Sequence, residues 1–206
     1  KKGSSINEIT YPCITKPLLS KDGAKSDISI CKSPNELAAY LDTSKAKEVQ
    51  VQEFIEKEYE YQLIGCATEK NIIIPGYSTI LRPCKGSNTA HLVYYPMGGG
   101  KIERIDLQRC ERFIRETGYL GLFSMELLRD KQGNDYFMEI NFRNDGNAIC
   151  VLEAGINLPY IWYLHKTGQD YYDEMNNPFY FGYLVVIVCC KFRFIEKNKS
   201  TFPINK

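Results

Sequence analysis

Apolar and polar residues alternate along Val49-Gln50-Val51-Gln52-Glu53 and again from Tyr59 onward, the period-two pattern of a half-buried strand. Similar patterning predicts strands near 11–16, 27–31, 49–54, 59–68, 70–75, 77–82 and 90–96. It also predicts a hairpin of 121–129 and 134–141 around the turn Asp130-Lys131-Gln132-Gly133. Helices punctuate these strands. Ser33-Pro34-Asn35-Glu36 reads as a capping box with proline at the first helical position, which starts a helix running to about Leu41. Asp106 caps a second helix from about Leu107 to Glu116, stopped by Gly118. Two more are expected over 146–153 and 159–166, ended by Gly155 and Gly168. The apolar run from Phe179 to Cys190 is too short to span a bilayer as a helix, which takes about 20 residues. Its β-branched and aromatic bias reads as a buried strand, or as a surface on which a further segment docks.

The order of elements predicts an α+β fold in two subdomains, 1–54 and 55–206, with no internal repeat. At 206 residues and 44% hydrophobic, the chain has enough material for a proper core. A net charge of +1, with scattered basic residues, gives no electrostatic footprint for nucleic acid, and no membrane partner is expected. The eight cysteines form no C-x-x-C pair and no histidine cluster accompanies them, which disfavours structural zinc. Cys13, Cys31, Cys66 and Cys150 sit in apolar stretches, as buried free thiols do, and a reducing cytoplasm is the simplest setting.

The chemistry is concentrated in the hairpin. Glu139-Ile140-Asn141-Phe142-Arg143 ends its second strand, and Glu126 lies on the first. Alternation places Glu139, Asn141 and Arg143 on one face if the strand persists. Two carboxylates and an amide oxygen are hard ligands suited to Mg²⁺ held jointly with phosphates, and an arginine beside them can neutralise phosphoryl oxygens. An isolated E-x-N-x-R would more often be a solvated hairpin face. Here it is accompanied by a strand ending in Lys16, the small polar loop 20–26, and the acids Glu53 and Glu60 seven residues apart in a stretch that also holds Glu56 and Glu58. Gly23-Ala24-Lys25-Ser26 within that loop is not a P-loop, because its lysine does not follow the glycine and no second glycine stands at the required spacing.

In this order and spacing the pieces resemble the ATP-grasp superfamily over about residues 10–165, and the Glu-x-Asn-x-Arg ending looks most like the carbamoyl phosphate synthetase large-subunit ATP-binding domain. The resemblance implies a nucleotide held between antiparallel sheets, with ATP and Mg²⁺ or Mn²⁺ as cofactors. By position, Lys16 is expected to reach the α/β-phosphates and Gly23 to belong to the mobile lid over them. Glu53 is expected at the adenine edge, with the main chain of Phe54 and Ile55 bonding the ring, and Glu60 on the ribose hydroxyls. Glu126, Glu139 and Asn141 are the implied metal ligands and Arg143 the arginine facing substrate or phosphate. Relatives carry a preceding Rossmann-like domain, so the resemblance also implies a fragment of a longer enzyme.

Between the two groups of motifs, Arg82, Lys85 and His91 flank loops that could hold an acceptor substrate or simply be an exposed basic connection. Gly98–Gly100 reads as a flexible turn rather than a phosphate cradle, because no helix start follows it. The expected activity is carboxylate–amine ligation through an acyl phosphate, with small-molecule acid and amine as partners and a homodimer left open. A small-molecule kinase on the same frame and a non-catalytic ATP-binding regulatory module are the alternatives.

Overall fold

The computed structural model describes residues 9–19, 27–83, 90–102, 104–176, 183–188 and 191–196, with main chain alone at 81–83, 90, 91, 183–188 and 191–196. The chain forms two compact units, Lys1–Glu56 and Lys57–Lys206.

The first unit is a three-stranded antiparallel sheet with one helix. Its strands β1 (Cys13–Pro17), β2 (Ser29–Cys31) and β3 (Val49–Glu53) are ordered β2-β1-β3. Helix α1 (Pro34–Thr43) begins where the capping box predicts and extends two residues past Leu41. Ser33 Oγ accepts the Glu36 amide at 3.3 Å. The reciprocal bond lies one residue earlier than the motif implies, since the Glu36 carboxylate takes the Lys32 amide at 2.8 Å. Leu37 on this helix packs with Cys13 and Cys31, all three essentially inaccessible to solvent. Cys13 and Cys31 are register partners on β1 and β2.

The second unit is built on one antiparallel sheet, ordered β11-β10-β7-β6-β4-β8-β9 with β5 on β4 among the described residues. Its strands are β4 (Lys57–Ala67), β5 (Ile72–Ile73), β6 (Gly76–Pro83), β7 (Ala90–Pro96), β8 (Gly121–Asp130), β9 (Asp135–Asn141), β10 (Tyr183–Val188) and β11 (Lys191–Glu196). The strand expected over 70–75 shrinks to β5, because Thr68 closes a turn on Asn71, its amide on the Asn71 carbonyl at 2.8 Å. Residues 183–188 of the apolar run form β10, a strand flanked by β7 and β11, while 179–182, 189 and 190 lie outside the described residues. Among the described residues no helix is long and apolar enough to cross a membrane.

Each face of this sheet carries its own core. On one side α2 (Leu107–Thr117), capped by Asp106 and closed by left-handed Gly118, buries Cys110 and Ile114 against Tyr61, Leu63, Phe123, Met125 and Leu127. On the other side α3 (Ala148–Glu153) and α4 (Leu158–Lys166) bury Cys150, Val151, Leu158, Ile161 and Leu164 against Ile64, Cys66 and Tyr94. A short α5 (Tyr172–Met175) was not legible in the pattern. Helix α3 starts two residues later than the sequence suggests, because Asp145-Gly146-Asn147 forms a turn in which Asp145 Oδ1 accepts the Asn147 amide at 2.9 Å. The described cysteines 13, 31, 66, 110 and 150 are buried free thiols. Burial pushes the Cys66 and Cys150 thiols up to about 12, which leaves them inert as nucleophiles.

Candidate functional site

The hairpin forms as its sequence suggests. Asp130 pins its turn, accepting the amides of Gln132 at 2.9 Å and Asn134 at 2.8 Å and the Asn134 side chain at 2.9 Å. These bonds, the Asn134 side chain foremost, hold the Asp130 carboxyl below its ordinary range.

Register then decides which side chains meet. Glu126 on β8 is directly opposite Glu139 on β9, and Ser124 is opposite Asn141. Gln62 on β4 is opposite both Glu126 and Ser78, so Gln62, Glu126 and Glu139 share one face. A β-bulge sets this arrangement. Leu127 pairs with Phe137, so Met138 is an extra residue on β9. Phe137 therefore packs toward α2, its ring 5.0 Å from that of Phe113, while Glu139, two residues on, turns to the opposite face. Without the bulge, simple alternation would put Glu139 beside Phe137.

The polar part of this face is a connected string. Asn141 Nδ2 donates to Glu139 Oε1 at 3.3 Å, and Arg143 Nη2 donates to Asn141 Oδ1 at 3.5 Å. Arg143 Nη1 lies 3.7 Å from Asp145 Oδ2, whose side chain is only 11% exposed. Asp145 Oδ2 also accepts Ser124 Oγ at 3.1 Å. Asn147, at the N-cap of α3, does not cap the helix with its side chain; its Nδ2 donates instead to Gln62 Oε1 at 3.0 Å. Glu60 lies two residues before Gln62 on the same face and is bonded by Lys57 Nζ. Glu58, between them, is the extra residue of a second bulge, where Lys57 pairs with Asp130 and Tyr59 with Arg129. The structure thus brings Glu60, Glu126, Glu139, Asn141 and Arg143 onto one sheet face. It adds Gln62, Ser124, Asp145 and Asn147, which the sequence reading passed over. Of these, only the Asp-Gly-Asn turn signal at 145–147 could have flagged a member.

On the first unit the picture is divided. Lys16 pairs with Gln50 and Ile14 with Gln52, whereas Glu53 pairs with Cys13. Lys16 thus lies on the open face with Ile14 and the half-exposed Ile30, and Glu53 on the face that carries α1. The Phe54 amide is already donated to the Pro12 carbonyl at 2.9 Å. Gly23 and Lys85 lie outside the described residues. Arg82 and His91 are register partners on β6 and β7, with only their main chain described.

Among the described residues no three His, Cys, Asp or Glu side chains gather as a metal cage. The acids come as a facing pair, a donor set that fits a hard cation whose remaining ligands are phosphate oxygens. Asn141 currently turns its nitrogen to Glu139 and its oxygen to Arg143, so it can serve as a third ligand only if its amide turns over. The sheet's other face has a groove of about 420 Å³ between α2 and the hairpin, lined by Arg109, Phe113 and Phe137 among others; none of the candidate residues lines it.

This architecture is the ATP-grasp fold. The chain is 26% identical over 158 residues to the formate-dependent phosphoribosylglycinamide formyltransferase of Wolinella succinogenes, covering 72% of this chain and 38% of that protein. It superposes with a TM-score of 0.63 on the biotin carboxylase domain dimer of the Hydrogenobacter thermophilus 2-oxoglutarate carboxylase, solved with MgADP, ADP and bicarbonate, at 18% identity. That match covers 87% of this chain and 41% of the other. It superposes equally on the L-amino acid ligase of Bacillus licheniformis, with a TM-score of 0.62, 14% identity, and coverage of 87% and 44%. The chain thus spans less than half the length of each of these proteins. No protein-family model matches it.

Proposed function

We propose that this chain is the nucleotide-binding part of an ATP- and Mg²⁺-dependent carboxylate–amine ligase. The observation that carries the reading is the facing pair Glu126–Glu139, on an ATP-grasp sheet, with Asn141 and Arg143 strung beside it. Like charges directly opposite one another across strands are unfavourable, and a cation is what makes such a pair useful. The relatives' names point the same way: one was solved with MgADP and bicarbonate, one is a formate-dependent formyltransferase and one an amino acid ligase.

On this reading Glu126, Glu139 and, after its amide turns, Asn141 hold Mg²⁺ or Mn²⁺. The metal, when bound, screens phosphate charge and orients the phosphoryl group for transfer. Arg143 donates to phosphoryl oxygens as charge develops on them. Glu60 accepts the ribose hydroxyls and leaves Lys57 to do so. On the small unit, Lys16 and the apolar Ile14 and Ile30 form the open face we assign to nucleotide contact. Because the Phe54 amide is already used, a main-chain donor to a ring would come from Ile55, and Glu53 would contribute through its main chain. The acid substrate's carboxylate oxygen attacks the γ-phosphorus and ADP leaves. An amine then attacks the acyl carbon of the acyl phosphate, expelling inorganic phosphate and losing a proton to form the amide.

Calorimetric titration with ATP in Mg²⁺ and in EDTA tests this. Micromolar binding that weakens by roughly tenfold or more without metal is expected. Equal binding in both conditions would remove the metal role, and no binding would remove the nucleotide role from this chain.

A further inference from the structure

Asp145 has no place in the ligand set just described, yet it is the most connected group beside it. Its side chain is 11% exposed, far less than the 62% of its partner Arg143. One oxygen takes the Asn147 amide at 2.9 Å and the other takes Ser124 Oγ at 3.1 Å, which fixes the carboxylate against both the α3 turn and strand β8. Its carbonyl accepts the Ala148 amide at 3.0 Å, so its main chain is held as well. Ser124 is two residues from Glu126 on the same face and is the register partner of Asn141. A carboxylate anchored this firmly is a fixed post. Its partner is Arg143, which follows β9, is exposed, and is paired with Asp145 at 3.7 Å while the same nitrogen donates to the Asn144 carbonyl at 3.2 Å.

The geometry matters because a long arginine has many rotamers and loses entropy when it is ordered. With Asp145 Oδ2 3.7 Å from Nη1, which also donates to the Asn144 carbonyl at 3.2 Å, and Asn141 Oδ1 3.5 Å from Nη2, Arg143 is confined beside Glu139 and Asn141. We infer that Asp145 is a positioning residue that presents Arg143 to the terminal phosphoryl group of a bound nucleoside triphosphate. This rests on the nucleotide reading above and adds a specific consequence. Asp145 acts on discrimination between tri- and diphosphate, not on nucleotide affinity in general, because only the triphosphate offers the group Arg143 is aimed at.

The test compares binding of the Mg²⁺ complexes of ADP and of a non-hydrolysable ATP analogue to wild type, Asp145→Asn, Arg143→Ala and the double variant, with thermal unfolding as a check on folding. Asn keeps one acceptor for Asn147 or Ser124 but turns a neutral amide toward Arg143. The expected result is a loss of roughly tenfold in analogue affinity for Asp145→Asn with ADP affinity changed by less than about twofold. In the Arg143→Ala background the same substitution should do nothing further. Equal losses for both nucleotides, or a loss that persists without Arg143, would overturn the role of Asp145 while leaving the nucleotide site standing. Wild-type chain that binds neither nucleotide would overturn the site reading and this inference with it.

Discussion

Glu139→Gln is expected to remove the metal-dependent part of nucleotide binding, weakening the Mg²⁺–nucleotide complex by roughly 100-fold, while leaving the free protein as stable as wild type or slightly more so. The two signs come from one arrangement. Glu139 faces Glu126 across the β8–β9 ladder, and because like charges placed directly opposite one another do not stabilise a sheet, a neutral amide there is not expected to cost stability in the absence of a cation. With a cation present, the same substitution deletes one of two anionic oxygen ligands, and hard divalent cations depend on ligand charge. Even changes to groups that merely orient a metal ligand cost 10–100-fold, so losing a ligand should reach the upper end. The Asn141 amide can bond a glutamine as well as a glutamate, which keeps the neighbouring string intact. Calorimetry with and without EDTA, together with thermal unfolding of the free protein, reads both signs. A variant that binds normally would sink the metal assignment, and one that unfolds early would make Glu139 a structural residue.

Phe123→Ala should cost about 3–5 kcal/mol of stability, measured by denaturant unfolding. Phe123 is wholly buried at the centre of the core between the sheet and α2, among Leu63, Ile114 and Met125. Gly65, its register partner, exists to admit it: a Cβ there would come within 2.5 Å of the Phe123 ring. The cavity left by truncation is therefore walled by a sheet that cannot collapse into it. Strand β8 carries Phe123 to one face and Ser124 and Glu126 to the other, so this core is the foundation of the candidate site. Because whole domains are stable by only about 5–15 kcal/mol, the variant should be close to unfolding at physiological temperature. A loss below about 1 kcal/mol would mean that the packing described for this face is wrong.

Much of this fold could be read from the chain because it rests on local signals. The capping box at Ser33, the Asp106 cap with its Gly118 stop, and the turn at Asp130–Gly133 each act over a few residues, and each is present. The facing acids were legible too, though for an incomplete reason. Alternation along β9 suggested that Glu139, Asn141 and Arg143 share a face, but the bulge at Met138 is what sends Glu139 to the side of Glu126. Nothing local marks that bulge. The Gln62–Asn147 bond joins residues 85 apart, and the Ser124–Asp145 bond needs the register of β8 against β9 before it can be drawn. The small unit shows the limit most sharply. The resemblance assigns both Lys16 and Glu53 to the nucleotide, yet their strand partners, Gln50 and Cys13, place them on opposite faces.

The most direct measurement is a crystal structure of this chain with Mg²⁺ and ADP. A metal is expected about 2.0–2.1 Å from carboxylate oxygens of both Glu126 and Glu139, with the diphosphate against it. The Asn141 amide is expected to be turned so that its oxygen faces the metal. Nucleotide seated instead in the groove between α2 and the hairpin, or a metal held without either acid, would overturn the assignment of this site.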